Sequence, residues 1–238
     1  MRDDVPRYRR DPARIAAWPD TPRRPAVVWA LIAICTLVEM GLVAADLGLV
    51  GRPRLRTLAY QYGGFWVGLL GSWRPNYAAQ PYAMFLTYAF LHGGIGHLAV
   101  NMLTLWSLGR PVILRVGQAR FLLLYGIASL GGALGFAALS ASLRPMVGAS
   151  GALFGLIGAW IAWDYIDRFS RSEPLLPVLR PILILIVLNV VLYYAMGGHL
   201  AWETHLGGFL AGFFTAFLVD PRSRPPGPQS IPGGSSRW

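Results

Sequence analysis

The run Val147-Gly148-Ala149-Ser150-Gly151-Ala152-Leu153-Phe154-Gly155 puts one hydroxyl in a glycine-rich turn at the head of an apolar stretch. A hydroxyl becomes a nucleophile when a neighbouring base takes its proton, and the chain has histidines able to do so. His205 is followed by Gly208 and Gly212, and Gly151 by Gly155, so each motif carries glycines four apart on one helical stripe. Small residues at that spacing let two helix backbones approach until side chains can bridge them. Ser150 and His205, at the heads of two such stripes, form a candidate Ser–His dyad. Without a buried carboxylate, helix packing has to orient the imidazole. His97 and Asn101 lie four apart on another apolar run and face the same way. A ring N–H and an amide, with the backbone N–H of Ser150, could stabilise the oxyanion of an acyl intermediate. The N-terminus of a helix starting at Ser150 adds partial positive charge there. Singly, each residue has a plainer explanation: packing for the serine, interhelical glue for the asparagine, proton transport or metal binding for a membrane histidine. The conjunction points to acyl-transfer chemistry.

The elements that must position these residues are apolar. The 238 residues are 55% hydrophobic and 13% charged, with a mean hydropathy of +0.47. That excludes a soluble domain of this size and fits a chain whose solvent is lipid. Six apolar runs, near 26–45, 92–109, 121–143, 148–163, 177–196 and 205–219, predict an all-α polytopic membrane protein, a six-transmembrane-helix bundle over 26–219. Residues 46–91 form a long outer loop, in which Leu55–Leu70 reads as an amphipathic helix lying in the interface. Residues 1–25 and 220–238 read as disordered cytoplasmic tails. The fourth and sixth runs are shorter than the about 20 residues of a full span. Counting about 1.5 Å per residue from Asp164, Asp220 and Arg110 puts Ser150, His205 and His97 about 21, 22 and 20 Å higher, at one depth.

All 21 basic residues are arginine, and the net charge is +10. The arginines fall in loops between the runs, which makes them a topology signal and not a nucleic-acid footprint. Sixteen lie on one side and five on the other, so both termini are expected in the cytoplasm, with a bacterial inner membrane as the setting. No cleavable signal peptide is read. Cys35 is the single cysteine, so no disulfide framework is expected. Glu39, midway along the first run, has no acidic partner in another run and reads as structural. His199, in Gly197-Gly198-His199, lacks a glycine stripe and reads as an outer-loop residue. His92 is expected to open the second helix and hold the preceding loop.

In this order and spacing the motifs resemble the rhomboid family of intramembrane serine proteases, over roughly residues 26 to 219. The family's His, His and Asn of the second helix are matched by His92, His97 and Asn101, and its Gly-x-Ser-Gly by Gly148-Ala149-Ser150-Gly151. Its base followed by spaced glycines is matched by His205, Gly208 and Gly212. Phe154 stands where the family has an aromatic that packs against the base. The chain departs from the pattern at Ala83-Met84, in place of a Trp-Arg pair, at Ile113, in place of a glutamate, and at Thr204, in place of alanine. The resemblance implies an endopeptidase that cuts transmembrane segments of single-span membrane proteins within the lipid bilayer. Ser150 would be the nucleophile, His205 the general base and acid, and His97, Asn101 and the Ser150 N–H the oxyanion site. It implies no metal, no cofactor and no nucleic-acid partner, with small residues at the cut and helix-breaking residues nearby. Two rivals stand beside it: a catalytically inactive rhomboid-like binder of membrane helices, and a proton or solute carrier built on Glu39 and the histidines. A pure binder has no need to retain both Ser150 and His205.

Overall fold

The structure is a computed structural model that describes residues 25–51 and 54–220. The two expected tails, apart from Pro25 and Asp220, lie outside the described residues, as do the arginines counted there and Arg52. The described chain forms α1 (Ala26–Asp46), α2 (Leu55–Gly63), α3 (Gln80–Thr87), α4 (Ile95–Val116), α5 (Gln118–Leu139), α6 (Ser150–Ser170), α7 (Leu176–Ala195) and α8 (Trp202–Val219). Short 3₁₀ turns stand at Val67–Leu70 and Tyr88–Phe90.

By length and composition, α1, α5 and α7 can each cross a membrane. The segment Gln80–Phe90 and α4 join them as an apolar pair bent by 80°. The helices that carry Ser150 and His205 are not in that set: α6 runs on through polar Asp164, Asp167 and Arg168, and α8 opens on Trp202-Glu203-Thr204-His205.

Three expected boundaries shift. The second apolar helix begins at Ile95, so His92 does not open it but lies in the break before it, fully buried. The same helix continues through Pro111 to Val116. α6 continues past Asp164 because Arg168, one turn on, binds that carboxylate at 2.9 Å, and Asp167 lies 3.6 Å from Arg115 of α4. Arg110 and Asp164 therefore do not end their helices, so the depth count runs from the ends of apolar runs and not from helix ends. What holds is simpler: His97, Ser150 and His205 each lie within the first four residues of a helix.

The centre of the bundle is α5, α6 and α8, joined through glycine. Gly131 and Gly135 of α5 abut Gly207 of α8, and Gly155 of α6 abuts Ala128 of α5. In this register α6 and α8 run parallel to each other and antiparallel to α5. α1 packs along α4, where Val28 fills the space beside Gly109 and the Trp29 and Trp106 rings lie 4.5 Å apart. α7 stands at the edge. Of its residues only Val178 is buried, and Leu183, Ile184, Ile186 and Val187 are exposed. Such a surface is stable facing lipid tails, which are as apolar as leucine.

The first loop is anchored by groups whose roles the spacing does not reveal. Leu55–Leu70 is a helix only to Gly63; Phe65 then exchanges two backbone hydrogen bonds with Met146, at 3.0 and 2.9 Å. No residue of α2 is buried, as suits a helix lying on the bundle. Its Arg56 reaches Glu39 of α1 at 2.9 Å and Asp46 at 2.6 Å, and donates to the His92 carbonyl at 3.2 Å. Glu39 is thus a buried carboxylate with a basic partner. Met84 and Ile113 are both fully buried, so apolar packing stands at the two positions where the rhomboid pattern has polar groups. Removing one member of a buried pair costs about 3–5 kcal/mol, and with Arg56 partly exposed the lower end applies. Arg56→Ala should destabilise the protein accordingly when unfolding is followed in mild detergent. Adding Glu39→Gln to it should recover part of the loss, because no bare charge then remains buried.

Candidate active site

The site begins with a turn that only glycine suits. Gly148 has φ +126°, and a Cβ there would lie 2.8 Å from Cε1 of His97. Its N–H donates to the Tyr88 carbonyl at 3.0 Å, which pins the turn to the end of the first loop. The chain then enters α6 with Ser150 as its first residue. The N–H groups of that first turn have no intrahelical acceptor, which leaves them as donors at the head of α6.

His205 lies on α8 with Nε2 3.0 Å from the Ser150 Oγ. The two helices come this close because their glycines face one another. A Cβ on Gly208 would overlap the Gly151 carbonyl, and one on Gly212 the Gly155 carbonyl. Phe154, one turn below Ser150, stacks on the His205 ring with centroids 4.1 Å apart and planes within 5°. Thr204 projects its methyl into the room left by Gly132 and Gly151, which accommodates the departure from alanine. His199 is elsewhere, in an exposed loop with its ring 2.9 Å from the Arg144 guanidinium.

His97 flanks the turn on the α4 side. Its Nδ1 accepts the Gly93 N–H at 3.1 Å, so the ring proton belongs on Nε2, the nitrogen nearer Gly148. Asn101 is buried, and its amide donates to the His97 carbonyl at 3.0 Å, leaving a second amide hydrogen. Both residues therefore bring an N–H close to Gly148, two residues before Ser150. The His92 ring lies 5.4 Å from that of His97. Its carbonyl, which takes the Tyr60 hydroxyl at 2.6 Å as well as Arg56, is what ties the first loop down.

Asn189 is a residue of the site that sequence spacing does not mark. It comes from α7, and its Oδ1 lies 2.6 Å from Nδ1 of His205. Beside it, an apolar groove of about 470 Å³ runs between α7 and α8, lined by Phe154, Tyr193, Trp202, Leu206 and Phe209 and reaching His205.

An apolar helical bundle with a serine and a histidine within hydrogen-bond distance at the heads of two glycine-packed helices defines an integral membrane protein. Residues 79–222 match the model of the Rhomboid domain, and the chain belongs to the rhomboid family. It is 38% identical over 131 residues to the Rhomboid protease GluP of Bacillus subtilis, a match covering 55% of this chain and 25% of that protein. With RHOMBOID-like protein 5 of Arabidopsis thaliana it shares 38% over 149 residues, 58% of this chain and 47% of the relative. With the mitochondrial Rhomboid protein 1 of Saccharomyces cerevisiae it shares 34% over 145 residues, 55% and 40%. The chain thus spans between a quarter and half of the length of these relatives.

Proposed function

We propose that this protein is an intramembrane serine endopeptidase that cleaves transmembrane segments of single-span membrane proteins. The observation that carries the reading is the 3.0 Å approach of His205 Nε2 to Ser150 Oγ between two helices locked by facing glycines. Nε2 takes the hydroxyl proton as Oγ bonds to the scissile carbonyl carbon, and the carbonyl electron pair moves onto oxygen. The Ser150 N–H, the His97 Nε2–H and the free amide hydrogen of Asn101 receive that oxyanion. Collapse breaks the C–N bond, and His205 returns its proton to the leaving amine. Water then attacks the ester with His205 again as base and frees Ser150. The apolar groove between α7 and α8 offers a lipid-side surface beside the base on which an apolar segment can lie. Six membrane crossings, with both termini in the cytoplasm of a bacterial cell, complete the reading. Along the described chain Arg115, Asp167 and Asp220 gather at one end of the bundle and Arg56, Arg144 and His199 at the other, as alternating crossings require.

A fluorophosphonate probe tests the class of chemistry. The purified protein in detergent should become covalently labelled on Ser150, located by peptide mass analysis. No labelling, with binding of membrane helices retained, would leave the chain as a binder. Asn101→Ala should lower kcat up to about 10²-fold with KM little changed, since an oxyanion donor acts on the transition state. Weakened KM at unchanged kcat would instead place Asn101 in substrate recognition.

A further inference from the structure

We infer that Asn189 of α7 sets the tautomer of His205, making a Ser150–His205–Asn189 relay of a pair that spacing alone presents as a dyad. The inference rests on the proposed acyl-transfer role of Ser150 and His205. Asn189 is itself held at both ends: its Nδ2 donates to the Leu185 carbonyl at 2.9 Å, and its Oδ1 faces His205 Nδ1 at 2.6 Å. Flipping the amide would set Oδ1 against the Leu185 carbonyl oxygen, acceptor against acceptor, so the orientation is fixed by the helix that bears it. An amide oxygen only accepts, so Nδ1 must carry the ring proton. A neutral imidazole with its proton on Nδ1 has its lone pair on Nε2, the atom 3.0 Å from the Ser150 Oγ. That is the tautomer able to take the serine proton; the other would present an N–H to the hydroxyl and a lone pair to Oδ1.

Phe154 cannot do this. Its ring is parallel to His205 and fixes the plane of the imidazole, but stacking is indifferent to which nitrogen is protonated. As the base becomes imidazolium, the Asn189 oxygen also receives the Nδ1–H of the charged ring, a hydrogen bond that strengthens in the transition state. The contact crosses to α7, most of whose other side chains are exposed. The reactive tautomer is therefore enforced while α7 is seated against α8 and relaxes when it is not. Asn189 is a positioning residue and touches no reacting atom.

The test uses the full chain in detergent, with a generic transmembrane substrate and a fluorophosphonate probe. Asn189→Leu keeps the side-chain size on a lipid-facing helix and removes the acceptor. It should lower kcat and the rate of Ser150 labelling together by about ten- to a hundredfold, with KM and the unfolding midpoint little changed; exchanging a triad's buried carboxylate for an amide, which leaves the wrong tautomer, costs about 10⁴, and losing a neutral acceptor should matter less. Asn189→Asp offers an acceptor oxygen to Nδ1 whether ionised or not, and should restore kcat to within about tenfold of wild type. Unchanged kcat and labelling in Asn189→Leu would overturn the inference, as would Asn189→Asp being as slow as Asn189→Leu. A lowered unfolding midpoint with normal kcat would make Asn189 interhelical glue only. If wild type neither cleaves nor labels, the proposed hydrolase falls and the relay with it; if wild type is active and Ser150→Ala is not, a normal Asn189→Leu sinks the relay alone.

Discussion

Ser150→Ala is expected to reduce cleavage of a transmembrane substrate below detection while leaving a folded, membrane-inserted protein. Loss of the nucleophile in a serine hydrolase removes on the order of 10⁶ in kcat, because the residues that remain have no group to attack in its place. Thr204, the residue before His205, points its methyl at Gly151 and lies buried, and the Tyr88 hydroxyl donates to the Ser129 carbonyl, so neither offers a substitute. Folding should hardly notice. The hydroxyl's hydrogen bond to His205 is worth about 1 kcal/mol, and Ser150 Cβ stays in place at the start of α6. The check pairs turnover with an unfolding curve in the same detergent. Turnover above about a hundredth of wild type in a pure preparation would remove Ser150 from the chemistry, and a collapsed unfolding midpoint would show that the loss came from the fold.

Sequence made the membrane character legible, because lipid demands long apolar runs and this chain has them; so were the two glycine stripes, because close helix approach demands small residues at helical spacing. Ser150 and His205 come together in the structure for that reason. Other parts were not legible, each on physical grounds. The pairing of Glu39 with Arg56 joins a helix interior to a loop helix seventeen residues on, and no periodicity links them. A charged residue ends an apolar run at Arg110 and at Asp164, whereas both helices continue, α6 with an Asp164–Arg168 pair. The spacing to His97 places His92 on α4, and a break before Ile95 puts it in the bend instead. Asn189 left no trace: one amide in an apolar run is what interhelical glue looks like, and only the register of α7 against α8 shows what it faces.

That register bears on the second large effect, at Gly208. From spacing alone Gly208→Val should inactivate, and Gly208→Ala should be intermediate, since one methyl is often accommodated. The structure revises the second expectation. A Cβ at Gly208 would lie 2.7 Å from the Gly151 carbonyl carbon and closer still to its oxygen. The obstacle is backbone inside a helix, with no rotamer to move it aside, so α8 itself must shift. Gly212 meets the Gly155 carbonyl in the same way one turn on, so the helix cannot pivot about that contact to make room. A shift of about 1 Å between reacting groups can lower the rate 10²-fold, and overpacking typically destabilises by about 1–3 kcal/mol. Gly208→Ala should therefore lose about 10²-fold or more in kcat, and Gly208→Val should be inactive, although neither side chain reaches the reacting atoms. Gly126→Ala is the control. It makes the same change inside α5 at a position where an added Cβ meets nothing within 4 Å, and it should cleave at the wild-type rate. Fluorophosphonate labelling separates the two ways of failing: slow labelling of a folded Gly208→Ala means that Ser150 and His205 have been drawn apart, whereas wild-type labelling and cleavage would mean that α6 and α8 do not meet through this stripe.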